Sequence, residues 1–282
     1  QQDSADAEEL RRNAMNHKIK RTIIYTVASI YIIIWLLPIF YLFIVAVKPA
    51  NEFYMNGMFA WPENPTLGNF VIAWNTIKSY FWNSLFLVAV SLPFIILLST
   101  MAAYSLSRFS FKASVFIIGY LMLGMLLPQH ITLLPNYMTL KAADLLNTRL
   151  GMVLVYISLN ISFTFFLTRG HFLGISREIE EAAKIDGCPS YMIFFRIILP
   201  LSAPIIIVSI VMNFMNVWND LVLAITYATD DAKLPVNAGL LRFVEQYAQN
   251  YERMTAGILI AILPLSIIFI ALQKYFVAGM SE

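Results

Sequence analysis

The stretch Ile175-Ser176-Arg177-Glu178-Ile179-Glu180-Glu181-Ala182-Ala183-Lys184-Ile185-Asp186-Gly187-Cys188-Pro189 decides how this chain is read. Ser176 suits a helix N-cap, because its hydroxyl can accept a backbone N–H left unpaired in the first turn. Glu178, Glu180 and Glu181 then fall in the early turns, where the helix dipole favours negative charge. Ile175, Ile179, Ala182 and Ala183 recur at the spacing of one apolar helix face. Gly187 supplies a left-handed stop, and Pro189 keeps the helix from resuming at once. A second segment, 190–199, leads to Pro200. The expectation is a short acidic helix, an enforced turn and a second short element.

On both sides of this stretch the sequence becomes apolar. A bilayer core of about 30 Å needs roughly 20 apolar helical residues to cross it. Six segments meet that length, at 22–47, 81–106, 115–135, 151–168, 203–227 and 255–277. Of the 282 residues, 59% are hydrophobic and 13% charged, and the mean hydropathy is +0.70. Soluble domains carry roughly 25% charged residues, so a water-soluble globular protein is excluded. Lipid offers backbone polar groups no partner, so the spans are predicted helical. The fold class is therefore an all-α integral membrane protein with six transmembrane helices. The first span is too long for a cleaved signal peptide and lacks a small-residue cleavage site. Pro38, Pro93, Pro128 and Pro264 interrupt spans and are expected to mark local bends.

With an even number of spans both termini share a side. Twelve of the 19 basic residues fall on that side and seven on the other, which places both termini in the cytoplasm by the positive-inside rule. The chain then divides into a cytoplasmic tail (1–21), a six-helix membrane domain (22–277) with a cytoplasmic loop at 169–202, and a short tail (278–282). The first ten residues read as a solvated tail or short surface helix.

Several chemistries are absent. The net charge of +2 gives no electrostatic footprint for nucleic acid. One cysteine, Cys188, excludes an intrachain disulfide, and reads as a small filler beside the turn. No lysine sits in a phosphate-cradling P-loop. His17, His130 and His171 lie far apart without metal-ligand spacing, so no metal site is expected. Catalysis in this chain is not expected, and it should bind no cofactor; any uphill work needs energy from elsewhere.

The paired alanines make the loop helix thin enough to enter a groove on another protein, with its acidic face meeting basic or amide groups at the rim. The alternative is a helix lying on lipid headgroups, which usually carries Lys and Arg rather than Glu on its polar face.

Here the residues resemble a known family. Glu181-Ala182-Ala183-x-x-x-Gly187, nine residues, then Ile197-x-Leu199-Pro200 resembles the EAA signature of the membrane subunits of binding-protein-dependent ABC importers. Leu134-Pro135, Leu145-Leu146-Asn147-Thr148 and Phe214-x-x-x-Trp218-Asn219-Asp220 look like its carbohydrate-importing branch, and the six-span subunit of the maltose-transporter type within it. The resemblance covers nearly all of 22–281. It implies a type I importer permease fold in a bacterial or archaeal plasma (inner) membrane. It also implies a homologous sister subunit, two ATP-binding subunits carrying ATP and Mg, and an extracellular solute-binding protein. The EAA loop would be a coupling helix seated in the ATPase. Glu180, Glu181, Ala182, Ala183, Asp186 and Gly187 would form its coupling surface, and Ile197, Leu199 and Pro200 would set the angle of re-entry into the membrane.

Polar groups within the spans are the candidate sugar path. Asn213, Asn216, Asn219 and Asp220 recur along one face of the fifth span, and Asn160 with Ser158 and Ser162 forms a patch in the fourth. Such groups should face the bundle or a wet cavity. Two readings stay open: a lining for a hydroxyl-rich solute, with Trp218 as an apolar ring platform, or helix–helix hydrogen bonding. Gln129, His130 and Asn136, between Pro128 and Pro135, suggest a broken helix near an outer gate or a plain helix-end cap. The 228–254 loop is the candidate contact for the binding protein. A rival class is a secondary transporter driven by an ion gradient, which would carry several intramembrane acids or histidines and repeat symmetry.

Overall fold

The computed structural model describes residues 2–49, 52–57, 59–247 and 250–279, with side chains described within 19–273. The last residues of the 278–282 tail lie outside the described residues. Among the described residues the regular structure is all helical, with no strand. Its helices are α1 (Gln2–Ala46), α2 (Glu52–Asn56), α3 (Gly68–Arg108), α4 (Ser114–Leu126), α5 (Leu133–Ala142), α6 (Arg149–Gly174) and α7 (Arg177–Ile185). There follow α8 (Ser190–Ile193), α9 (Leu199–Leu201), α10 (Ala203–Trp218), α11 (Val222–Tyr227), α12 (Val236–Gln246) and α13 (Tyr251–Gly279). Four stretches are long and apolar enough to cross a membrane: Ile19–Ala46, Gly68–Arg108, Arg149–Gly174 and Tyr251–Gln273. Two bent pairs, Ser114–Leu126 with Gln129–Ala142 and Ser190–Leu201 with Ala203–Trp218, bring the number to six when each counts as one span.

Three element boundaries differ from expectation, at the start of α1, the start of α3 and within the fifth span, while the break in the third span is one of the two alternatives expected around Gln129, His130 and Asn136. Helix α1 continues back to Gln2, so the first ten residues are continuous with the helix of the first span rather than a separate short helix. The second span begins at Gly68 rather than at 81. Its added turns are amphipathic: Ala73 and Ile77 are buried with Phe243, Ala256 and Ile260, a packing that hydropathy alone does not register. The third and fifth spans are each broken. Leu127, ahead of Pro128, is extended at φ −75°, ψ 125°, as the proline ring demands of the residue before it. A 3-10 turn at Gln129–Thr132 follows, and the chain turns by 98° into α5. Pro135 sits in the first turn of α5, where an N–H is not required. Pro38, Pro93 and Pro264 instead lie within continuous helices.

The fifth span, read as one helix over 203–227, stops at Trp218. Asp220 terminates it: its carboxylate accepts the N–H groups of Leu223 (3.2 Å) and Ala224 (3.0 Å), which opens α11 as a new helix. Before α10, residues Phe194–Ile198 form a π-turn in which the Leu199 N–H reaches back to the Phe194 carbonyl. Pro200 cannot donate, so the widened turn brings the chain to it, and the segment then bends by 78° into α10.

The core is divided along the long axis of α3. One cluster joins Leu87 and Val88 to Met152, Val155 and Tyr156 of α6 and to Phe214, Val217 and Trp218 of α10. A second, at the α7 end, joins Ala103, Tyr104 and Leu106 to Phe165, Phe172, Ala183, Ile193, Phe194 and Ile198. The shaft of α1 stands apart; Tyr31, Ile33 and Trp35 are 59–65% exposed. It joins the rest at Val45–Ala46, where the Asn69 side chain donates to the carbonyls of Ala46 (2.9 Å) and Lys48 (2.7 Å).

Candidate functional site

Two places deserve a chemical reading, the loop helix α7 and a polar cavity between α4, α6 and α10. In α7 the Ser176 hydroxyl accepts the Glu178 N–H at 3.2 Å. At the other end the Gly187 N–H bonds Lys184 O (3.0 Å) and the Cys188 N–H bonds Ala183 O (2.9 Å). That pair is a Schellman motif, and it requires the left-handed φ of +81° found at Gly187. The helix divides its residues differently from the spacing argument. Ala183 and Glu180 are buried, whereas Glu181, Ala182, Asp186 and Gly187 are exposed, Ile179 is exposed, and Ile185 is 87% exposed. The four apolar positions therefore do not share one buried face, and Glu180 is not on the outer surface. Its carboxylate forms an ion pair with Arg108 and accepts the Tyr104 hydroxyl at 3.0 Å. Of the re-entry residues, Ile197 and Leu199 pack against the α7-end cluster, and Pro200 stands in α9.

The cavity encloses about 550 Å³ and is lined by Gly124, Met125, Leu127, Gln129, Thr132, Asn136, Ser158, Leu159, Asn160, Ser162, Phe163, Met212 and Asn216. Not one of these side chains is ionisable. The break after α4 brings Gln129 and Asn136 alongside the α6 patch of Ser158, Asn160 and Ser162, so two groups read separately line one space. Asn160 is fixed by donating to Tyr156 O (2.8 Å) and accepts from Asn216 (3.1 Å).

The remaining candidates for the sugar path lie outside that cavity. Asn213 is fully buried and donates to the Thr164 hydroxyl (2.8 Å) and to Ser209 O (2.7 Å), joining α10 to α6. Asn219 and Asp220 are beyond the end of α10, so the four-residue stripe is not one helix face. Asp220 also accepts the Tyr156 hydroxyl at 2.8 Å. Trp218 is buried: it stacks on Phe214 at 5.4 Å and donates to Ala261 O at 3.1 Å, which leaves no ring face for a sugar. His130 is exposed and does not line the cavity.

The Leu145-Leu146-Asn147-Thr148 run has a structural explanation. Asn147 adopts φ 59° and accepts the N–H groups of Thr229 (3.1 Å) and Asp230 (3.0 Å), tying this turn to the far loop. Thr148 caps α6 by accepting the Gly151 N–H at 3.0 Å.

A model of the binding-protein-dependent transport system inner membrane component family matches residues 95–282. The chain belongs to that family. Among similar permeases, a probable ABC transporter permease of Bacillus subtilis is 34% identical over 265 residues, covering 94% of this chain and 88% of its own. The arabinooligosaccharides transport system permease of Halalkalibacterium halodurans is 31% identical over 255 residues, covering 86% and 88%. A solved bacterial ABC transporter involved in import of the acidic polysaccharide alginate superposes with a TM-score of 0.77 at 21% identity, over 92% of this chain and 97% of that one. At that identity it establishes the fold alone, a bundle of helices.

Sequence reasoning missed several permease residues that matter here. Gly124 and Thr132 line the cavity, and the broken-helix signal around Pro128 could have pointed to both. Tyr104 and Arg108 bind Glu180, and their position one turn apart at the loop end of α3 was the available signal.

Proposed function

We propose that this chain is one of two homologous membrane subunits of an ATP-driven importer of neutral carbohydrate, and that α7 is the element through which separate ATPase chains drive it. Two ATP-binding subunits, carrying ATP and Mg, dock beneath the permease pair, one of them at α7; hydrolysis belongs to them and not to this chain. A solute-binding protein delivers sugar on the opposite face, near the 228–254 loop. In this reading both termini and the 169–202 loop are cytoplasmic, in the plasma membrane of a bacterium or archaeon. The shaft of α1 is apolar and meets little of its own chain, which suits contact with lipid and with a sister subunit.

The observation that carries the proposal is the exposed ridge Glu181, Ala182, Ile185 and Asp186, ended by a positive-φ Gly187 and held from behind by buried Glu180 and Ala183. A nine-residue helix so exposed, with an isoleucine at 87% exposure, is suited to a protein groove. The carbohydrate reading is supported by the uncharged amide and hydroxyl lining of the cavity and by the names of similar permeases. These include one for arabinooligosaccharides and one for melibiose, raffinose and stachyose. The related alginate transporter has been solved with a periplasmic protein holding an alginate pentasaccharide, which supports an external binding-protein partner.

The test is uptake of neutral oligosaccharide by proteoliposomes holding the permease pair, the ATPase and the binding protein. Uptake that needs ATP and stops with vanadate supports the proposal. Uptake that ignores vanadate and collapses with a protonophore supports an ion-gradient transporter instead.

A further inference from the structure

Behind the exposed ridge of α7 lies a buried polar cluster. Arg108, the last residue of α3, pairs through Nε with Glu180 and donates from Nη2 to Ile175 O at 2.9 Å. Tyr104, one turn earlier, donates its hydroxyl to the second Glu180 oxygen at 3.0 Å. The charged side chains are almost wholly enclosed, at 6% exposure for Arg108 and 5% for Glu180. The Tyr104 ring meets Phe172 near the end of α6 (6.5 Å) and Phe194 in the π-turn (5.2 Å). One turn of α3 thus grips the middle of α7, the residue joining α6 to it, and the segment after it.

Farther along α3, between Tyr80 and Ser84, the same helix grips the opposite loops. Asn83 donates to the carbonyls of Ala232 (2.8 Å) and Leu234 (3.0 Å), and the Ser84 hydroxyl accepts the Val236 N–H at 2.8 Å. Tyr80 closes against Gly239, where even a Cβ would lie 2.2 Å from its ring. The stretch of α3 from Tyr80 to Arg108, about 40 Å at roughly 1.5 Å per residue, therefore joins the docking helix to the 228–239 segment.

We infer that Tyr104 and Arg108 are positioning residues for coupling, which clamp Glu180 so that α7 and α3 move as one body and displacement of α7 reaches the opposite loops through the shaft of α3. This rests on the docking of α7 proposed above. A surface ion pair would be too weak and too screened to act so. An enclosed one, with both carboxylate oxygens engaged from neighbouring turns of one helix, holds a fixed geometry.

The assembled transporter, reconstituted with its ATPase and binding protein, tests the clamp in two variants. Arg108→Met removes the ionic partner. Tyr104→Phe removes one hydroxyl, keeps the ring contacts with Phe172 and Phe194, and leaves Glu180 paired with Arg108, so it does not depend on tolerance of a lone buried charge. Co-purification of the ATPase with the unaltered chain is scored first, and its absence overturns the docking reading itself. Given co-purification, the sugar taken up per ATP hydrolysed should fall by about tenfold in Arg108→Met and about threefold in Tyr104→Phe, per assembled complex. An unchanged ratio in assembled Tyr104→Phe complexes overturns the clamp. So does loss of complex from the membrane with the ratio per complex unchanged, which is what a purely structural role produces.

Discussion

Asn216 on α10 donates its side-chain amide to the side-chain oxygen of Asn160 on α6, at 3.1 Å. Asn160 is buried and cannot turn away, because its own amide is committed to Tyr156 O at 2.8 Å. The pair sets two amides at the wall of the uncharged cavity. Asn213, three residues before Asn216, is turned to Thr164 and Ser209 instead. Neighbouring asparagines on one helix thus have different partners.

Asn216→Ala should raise the half-saturating sugar concentration about fivefold, the value of one net hydrogen bond, and leave the thermal stability of the purified complex nearly unchanged. Asn213→Ala should do the reverse. It removes a buried bond between α10 and α6 at a cost of about 1 kcal/mol, with sugar dependence unaltered. Transport titrations beside melting curves distinguish the two.

Gly187→Val places a β-branched residue at φ +81°, at a cost of about 1–3 kcal/mol in local strain. No atom lies within 4 Å of the added Cβ, so the effect is conformational and not a clash. Membrane insertion should be normal, with ATPase co-purification and uptake both reduced. Gly187→Asn should retain most activity, because asparagine tolerates the left-handed region.

Gly151→Ala should destabilise the turn between α5 and α6. Its methyl would stand 2.3 Å from Leu145 O, so the 145–148 turn must move; overpacking of this kind costs about 1–3 kcal/mol. Asn147→Ala loses both the φ 59° preference and the bonds to Thr229 and Asp230. Faster proteolysis within the 228–235 segment is the expected sign in both variants.

The helical class, the span count and the caps of α7 were legible because each follows from local chemistry: apolar length, a serine before glutamates, a glycine before a proline. What was not legible depended on partners distant in sequence. Glu180 reads as one of three equivalent glutamates until Arg108 and Tyr104 are brought beside it. The stripe 213-216-219-220 looks like one face until Asp220 binds the N–H groups of Leu223 and Ala224 and ends the helix. Trp218 looks like a sugar platform until Phe214 and Phe81 cover its ring. The break at Pro128 was visible in the sequence, but the 98° turn that carries Gln129 and Asn136 to Asn160 was not. Residues 68–80 fall outside the predicted second span because their burial is against protein, which hydropathy does not detect.

The most direct measurement of the account is photo-crosslinking from Ala182 in native membranes, with the crosslinker replacing that exposed side chain. Seating of α7 in the ATPase predicts a covalent product with the ATP-binding subunit whose yield changes when ATP is added. Products with lipid alone, or none at all, would contradict it.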